Sequence, residues 1–255
     1  MARNPLMRKR AGTVRCSGDV LKWIGFVCVS MGTFSAAVLQ RGVLHLEQQT
    51  SQSLYDMIKP GGDMFGWASG AVILSLLSAV AIPLYAKLLY EGWKHTSNMR
   101  GYLMRLLGMA FLCEIPYDLA MSGRWMDLTD QNPIWTLAIA LVMLEIIQQY
   151  GGRPGAVGPF IKVMAVVAAL AWALLLRSQM GVLVVALVAL FHFLEGKKGW
   201  TLAAGLVLTL IQFPAPFGML FVYWYDGTRG ETPRKLFYLL YPAQLLVCAL
   251  LAPFV

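Results

Sequence analysis

The sequence has little charge for its length. Charged residues make up 13% of its 255 residues and hydrophobic residues 58%, whereas a soluble domain carries roughly 25% and about 45–50%. Long apolar runs separate the charges, and a helical membrane span needs about 20 mostly apolar residues. The composition excludes an ordinary soluble domain. It predicts an all-α, polytopic helical membrane protein with about eight or nine transmembrane or re-entrant helices.

The residues of common catalytic and metal sites are also scarce. There are three histidines and four cysteines, the cysteines lack CxxC spacing, and we predict no metal site. No P-loop, GxSxG or dinucleotide fingerprint occurs. The apolar cysteines are therefore expected to behave as small hydrophobic residues.

The formal net charge of +8 follows from the distribution of lysine and arginine. Residues 1–18 form a basic tail, which we expect in the cytoplasm, and residues 19–255 form one transmembrane domain. With a cytoplasmic N-terminus, alternate loops and the tail carry thirteen lysines and arginines against four on the other side. This bias is typical of membrane topology and predicts an external C-terminus. Membrane topology therefore explains the positive net charge, so we expect the lipid bilayer as a partner and no nucleic acid.

The apolar runs place the expected helices. They cover about Val20–Leu39, Met64–Tyr90, Tyr102–Met121, Ile134–Gln148, Pro159–Leu176, Met180–Leu194, Trp200–Trp224 and Leu236–Val255. Residues 40–62 read as a polar loop, and Pro83 predicts a kink in the second run. Pro214 and Pro216 make the seventh run either one kinked span or two short ones. The charge count favours two, and a re-entrant hairpin is the third option.

Two carboxylates lie inside an expected span. Glu114 and Asp118 share one helix face because they are four residues apart. They could serve acid/base chemistry, or each could bind an arginine from a neighbouring helix. In either case we expect both side chains to face the protein interior, because a charge facing lipid is costly. Arg124 and Asn132 are the expected partners.

Polar residues at the cytoplasmic side form two further candidates. Lys87, Glu91 and His95 repeat on one helix face, which is either a solvated surface or an anion site near Arg100 and Arg105. The loop Tyr225–Gly230 contains Asp-Gly turn chemistry. It is either only a turn or a place where Arg229 holds a carboxylate or phosphate.

Several short stretches together resemble the TraX family of bacterial membrane proteins, whose founding role is N-terminal acetylation of conjugative pilin. The matching stretches are Ala81–Tyr85, Tyr90–Thr96, Tyr102–Leu106, Glu114–Asp118, Gln131–Asn132, Thr136–Leu137, Gly181, Tyr225–Gly230, Phe237–Tyr238 and Tyr241–Pro242. The resemblance covers about residues 20–250. It implies a multi-helix acyltransferase of the bacterial inner membrane that uses acetyl-CoA as donor substrate and acts on a protein or peptide amine.

The resemblance also implies roles for single residues. Glu114 or Asp118 would be the catalytic base. The donor substrate acetyl-CoA would be held at the cytoplasmic side, and the acceptor amine would lie near polar residues of the matching stretches. The donor set is His95, Arg100, Arg105 and Arg229, and the substrate set is Asn132, Tyr225, Asp226 and Tyr241.

Five positions depart from the family pattern. An Asp-His pair falls on Gly32 and Thr33, a Gly-Arg pair on Ser78 and Ala79, and a final histidine on Gln244. Threonine and glutamine cannot act as a base at neutral pH. An active enzyme and a catalytically degenerate subunit that binds a protein, peptide or lipid both remain open, and a small transporter is a third alternative. In each case the five positions should converge on one cavity.

Overall fold

The described part of the chain is helical. A computed structural model describes residues 16–59, 61–178 and 181–254, so most of the basic tail 1–18 and the C-terminal Val255 lie outside the described residues. The helices are α1 Gly18–Phe34, α2 Ser51–Ile58, α3 Phe65–Ser78, α4 Ala81–Lys94, α5 Met99–Met121, α6 Pro133–Tyr150, α7 Val157–Leu175, α8 Gly181–Phe193, α9 Lys198–Thr209, α10 Ala215–Trp224 and α11 Arg234–Leu251. Within the described ranges the strand-like pairing is one isolated bridge, Cys16 with Tyr225.

Five segments of the described chain are long and apolar enough to cross a membrane. They are Gly18–Val43, Phe65–Lys94, Pro133–Tyr150, Val157–Leu175 and Lys235–Phe254. The expected helical membrane protein is thus confirmed in class, but the expected eight or nine spans are not. The remaining helices are too polar or too short: α5 carries four charged side chains, and α8, α9 and α10 have 13, 12 and 10 residues.

Successive helices run between two ends of the bundle. We name the end with loops 95–98, 151–156, 194–197 and 225–233 the basic end. Its loops meet: Lys94 pairs with Glu195 at 2.5 Å, and the Cys16 N–H donates to the Trp224 carbonyl at 3.1 Å. We name the end with loops 44–64, 122–132 and 176–178 the far end. There the Arg41 guanidinium donates to the Leu119 carbonyl at 2.5 Å.

The expected polar loop 40–62 is partly helical, which corrects the prediction. α1 continues as a π-helix over Ser35–Val43, and α2 follows in the middle of the polar stretch. Thr50 caps α2 by accepting the Ser53 N–H at 3.3 Å. Gln40 keeps the π-helix inside the bundle because its amide donates to the hydroxyls of Ser35 and Ser75, at 3.1 and 2.9 Å.

The long run around Pro83 breaks earlier than predicted. α3 ends at Ser78 and α4 starts at Ala81, so Pro83 lies in the first turn of a helix, where a missing N–H costs least. The two helices still form one apolar segment, Phe65–Lys94. Gly218 of α10 lies against the break, so that a Cβ there would overlap the Val80 carbonyl.

The segment Trp200–Trp224 is a hairpin of two short helices, α9 and α10. Gly205 faces Met219, since a Cβ on Gly205 would lie 2.9 Å from the Met219 sulfur. At about 1.5 Å per residue, each helix is shorter than the ~30 Å hydrocarbon layer. The hairpin starts at the basic end, after loop 194–197, and finishes there at Tyr225, which bridges to Cys16. A re-entrant hairpin has this arrangement.

Candidate functional site

Glu114 is held through one of its two carboxylate oxygens. Asn132, which is fully buried and caps α6, donates from its side-chain amide to the Ala110 carbonyl at 2.9 Å and to Glu114 Oε2. Trp135 Nε1 donates to the same oxygen at 2.8 Å. Glu114 Oε1 is buried and has no hydrogen-bond partner among the described residues. The carboxylate is therefore fixed in orientation and presents one bare oxygen.

Asp118 lies one turn further along α5 and is 2% exposed. Its Oδ2 accepts the backbone N–H of Asp127 at 2.9 Å, while Oδ1 is unpartnered within the described chain. Both carboxylates thus face the protein and have polar partners, as predicted. The expected arginine is wrong: in the described ranges no lysine or arginine forms an ion pair with either carboxylate, and Arg124 interacts instead with Asp127.

Tyr241 brings α11 to this cluster. It lies near enough to Glu114, Tyr117 and Tyr85 to interact with them electrostatically. We name Glu114, Asp118, Asn132, Trp135 and Tyr241 the carboxylate site. The sequence predicted four of these five residues. It missed Trp135, although its position three residues after the capping Asn132 puts it one turn into the same helix.

Four of the five positions that depart from the family pattern meet in two contacting pairs. A Cβ on Gly32 would lie 2.6 Å from the Ser78 Cβ. The Gln244 amide donates to the Thr33 hydroxyl at 3.4 Å, and Ala79 is fully buried beside Ser78. Within the described residues, these positions are joined by direct packing of α1 on α3 and of α1 on α11, rather than around the one cavity that the sequence predicts. Gln244 lies one turn after Tyr241, which joins these positions to the carboxylate site.

The Lys87, Glu91 and His95 face at the basic end is largely paired with itself. Lys87 Nζ lies 2.7 Å from Glu91 Oε1, and His95 Nδ1 lies 2.8 Å from the Glu91 carbonyl oxygen. The Lys87 ammonium also lies over the rings of Tyr90, Phe191 and Tyr225 at 5.2, 5.4 and 5.9 Å. Only the exposed His95 ring is left to meet a ligand there.

The loop with Tyr225, Asp226 and Arg229 is fastened to the start of α1. The Gly18 N–H donates to the Thr228 carbonyl at 2.7 Å, and Lys22 Nζ donates to the Arg229 carbonyl at 3.3 Å. Burial, with Glu91 and Asp226 nearby, raises the pKa of Tyr225 to about 12. This phenol therefore stays protonated at neutral pH.

Asp19 is the residue of this region that the sequence did not single out. Its carboxylate accepts the backbone N–H groups of Glu231 and Thr232 at 2.6 and 2.8 Å and pairs with Lys22 at 2.9 Å. The only local signal was an acidic residue in the first turn of α1, which is common for helix-dipole reasons alone.

The residues of the predicted substrate set do not lie together. Asn132 and Tyr241 lie with the carboxylates, whereas Tyr225 and Asp226 lie at the basic end. Arg105 stacks on Tyr102 at 5.8 Å, and Arg100 lines a groove between α5 and α6. No recorded contact joins these arginines to Arg229 among the described residues. Nor do three His, Cys, Asp or Glu residues come together there as a metal site would require.

Comparison with known proteins identifies the family. The pattern of the TraX protein family matches residues 17–252, which is nearly the whole chain. The chain belongs to the TraX family, as its motifs predicted. No curated protein and no solved structure matches it.

Proposed function

We propose that this TraX family member is an acyltransferase that moves an acetyl group from acetyl-CoA to an amine of a protein or peptide. The observation that carries the proposal is the fixed Glu114 carboxylate, which is held at Oε2 by Asn132 and Trp135 and is bare at Oε1. A general base must be positioned before it is useful, and a buried, oriented carboxylate satisfies that requirement.

The chemistry at Glu114 is proton removal. The acceptor amine nitrogen attacks the thioester carbonyl carbon, a C–N bond forms, and the C–S bond breaks. Glu114 Oε1 takes the proton that the nitrogen loses, and the CoA sulfur leaves as thiolate and takes up that proton, which returns Glu114 to its ionised form. The Tyr241 hydroxyl is a further neutral donor of the carboxylate site and would bind the carbonyl oxygen as its charge grows.

The donor would enter from the basic end. Arg105, Arg229 and the His95 ring are exposed and would meet the phosphates of CoA there, since arginine suits phosphate. Arg105 comes nine residues before Glu114 on α5, which is about 14 Å along the helix axis and half a turn around it, on the opposite face. The pantetheine arm would cover that depth, past Tyr85 and Tyr241. Tyr225 and Asp226 would contact the donor at the entrance.

The membrane orientation is part of the proposal. We infer a bacterial inner membrane location with the basic end in the cytoplasm, where acetyl-CoA is made, and the C-terminus outside. The excess of lysine and arginine in the basic-end loops supports this orientation. The carboxylate site then lies in the outer half, where an external amine can reach it.

Acetyl transfer by purified protein tests the proposal. Radiolabelled acetyl-CoA and a pool of peptides with free N-termini are incubated with the wild type, Glu114→Gln and Asp56→Asn. Glu114→Gln should lose at least about a hundredfold in rate. Asp56→Asn makes the same carboxylate-to-amide change in an exposed helix and should retain the rate. Transfer that Glu114→Gln leaves unchanged would contradict the role of Glu114.

A second candidate is a catalytically degenerate subunit that binds a partner protein or peptide. The packing of Gly32 on Ser78 and of Gln244 on Thr33 favours it, because these positions carry no base. The variant Gly32→Asp/Thr33→His/Ser78→Gly/Ala79→Arg/Gln244→His restores the family pattern at all five positions. A silent wild type with an active restored variant would support this candidate, and acetyl transfer by the wild type would contradict it.

A further inference from the structure

A groove runs between the start of α5 and the last turns of α6 at the basic end. It encloses about 470 Å³. Its lining includes Arg100, Leu103, Val142, Glu145 and Ile146. The groove lies outside the carboxylate site and shares none of its residues.

The groove holds one cation and one anion that do not pair with each other. Among the described residues, Glu145 accepts a hydrogen bond from Gln149 Nε2 at 2.5 Å and forms no ion pair. Arg100 is the second residue of α5, is exposed, and forms no ion pair with another described residue. The Asn98 side-chain oxygen accepts the Gly101 N–H at 2.8 Å and is therefore used within the chain. Two opposite charges are thus left for a ligand.

Apart from its polar residues, the groove is lined by apolar side chains that are partly exposed on the surface of the bundle. Val142 and Ile146 are 39% and 38% exposed on α6, and Leu103 lies opposite them. Exposed apolar side chains continue the same surface along α5, with Met104 at 66% and Phe111 at 68%. Because the charges lie at the basic end and the apolar wall leads into the membrane, the groove has the polarity of a phospholipid.

We propose that the groove binds a membrane phospholipid whose headgroup carries a phosphate and a primary ammonium, as phosphatidylethanolamine does. Arg100 at the start of α5 holds the phosphate, where the helix dipole adds to its charge. Glu145 accepts the ammonium N–H groups. One acyl chain lies along Leu103, Val142 and Ile146. The site is independent of the acyl transfer proposed above.

The two charges predict selectivity. Phosphatidylglycerol offers the phosphate but no cation, so it leaves Glu145 unpaired beside a like charge. Phosphatidylcholine offers a cation that cannot donate a hydrogen bond. A headgroup with a primary ammonium is the one that satisfies both side chains.

Native mass spectrometry of the purified full chain tests the proposal. The protein is mixed with equal amounts of phosphatidylethanolamine, phosphatidylcholine and phosphatidylglycerol, and retained lipids are counted. The wild type should retain phosphatidylethanolamine about tenfold over the other two, as expected for one charge-assisted hydrogen bond. Glu145→Gln should lose this preference, and Arg100→Gln should lose retention of both phosphatidylethanolamine and phosphatidylglycerol.

Matched controls keep the result specific. Arg153→Gln and Glu231→Gln remove the same charges from exposed loops at the same end, and both should retain the wild-type preference. Equal retention of the three lipids by the wild type would overturn the proposal. So would a preference that Glu145→Gln leaves intact, or loss of the lipid on addition of free CoA, which would assign Arg100 to the donor.

Discussion

Gly32 in α1 and Ser78 at the end of α3 are in contact, with room for no further atom between them. A Cβ on Gly32 would lie 2.6 Å from the Ser78 Cβ and 2.9 Å from its hydroxyl. The family resemblance places aspartate at position 32 and glycine at position 78. The arrangement that the resemblance implies, with the larger side chain on α1 and the glycine on α3, is thus the reverse of the one in this chain.

This contact predicts a destabilised single variant and a rescued double variant. Gly32→Ala should lower the free energy of unfolding by about 1–3 kcal/mol, because the added methyl overlaps Ser78. Gly32→Ala/Ser78→Gly should recover most of that loss. Gly108→Ala is the control, since a Cβ there meets nothing within 4 Å. Thermal unfolding in detergent measures all three, and a Gly32→Ala as stable as Gly108→Ala would contradict the packing.

The hydrogen bond between Asn132 and Glu114 predicts a second rescue. Asn132→Asp keeps the oxygen that caps α6 by accepting the Ile134 N–H, but it places a carboxylate against Glu114. The variant should lose about 2–4 kcal/mol, because a buried charge faces a like charge without a donor. Glu114→Gln/Asn132→Asp restores one donor and one acceptor and should regain stability. An unfolding temperature of Asn132→Asp equal to that of the wild type would contradict the contact.

The helices could be predicted from apolar runs, but the partners of the buried carboxylates could be predicted only in part. Spacing puts Glu114 and Asp118 on one helix face, and the sequence correctly predicts Asn132 as a partner of Glu114. It also predicts Arg124, which is wrong, because the fold turns the start of α6 towards α5 and leaves Arg124 beside Asp127. A linear sequence does not show which of two nearby polar residues will approach the carboxylate.

The same limit applies to breaks and loops. Pro83 suggested a kink, yet the chain breaks before it, where Gly218 of another helix reaches the Val80 carbonyl. Residues 40–62 are polar in composition, yet Gln40 has hydroxyl partners at Ser35 and Ser75 that let the helix continue. In both places tertiary contacts, not local propensity, decide where the helix ends.

The ion pair between Glu195 and Lys94 predicts a pH-dependent contribution to stability. The hydrogen bond from Lys94, at 2.5 Å, holds the pKa of Glu195 below its ordinary value. A lowered pKa in the folded state stabilises the fold above the unfolded value of about 4.3, and the gain is lost as pH falls through the folded value. Glu195 is 51% exposed, so solvent screening limits the contribution to about 1 kcal/mol or less.

Glu195→Gln measures that contribution. Its unfolding temperature should lie slightly below that of the wild type at neutral pH, and the two should converge below about pH 4. High salt should reduce the difference at neutral pH. A difference that grows as the pH falls would have the opposite sign and would contradict the lowered pKa.

The last prediction concerns the loop that carries Arg229. Asp19 holds this loop through the N–H groups of Glu231 and Thr232. Asp19→Ala removes both acceptor contacts, so the loop should open more often, and trypsin should cut after Arg229 about tenfold faster. Asp19→Asn keeps one side-chain oxygen and should lie between the wild type and Asp19→Ala. Asp56→Ala, which removes an exposed pair with Lys59 at the far end, should leave this cut unchanged.

The same trypsin cut, made in membrane vesicles, shows on which side of the membrane the basic end lies. If the basic end is cytoplasmic, trypsin added to inside-out vesicles should release the fragment that ends at Arg229, and trypsin added to right-side-out vesicles should not. Reporter fusions after residues 97, 155 and 230 should give cytoplasmic signals, and a fusion after residue 126 an external one. The helices place the first three positions at one end and the fourth at the other. An external signal at 230 with a cytoplasmic signal at 97 would therefore contradict the hairpin of α9 and α10, whereas reversal of all four would contradict only the orientation.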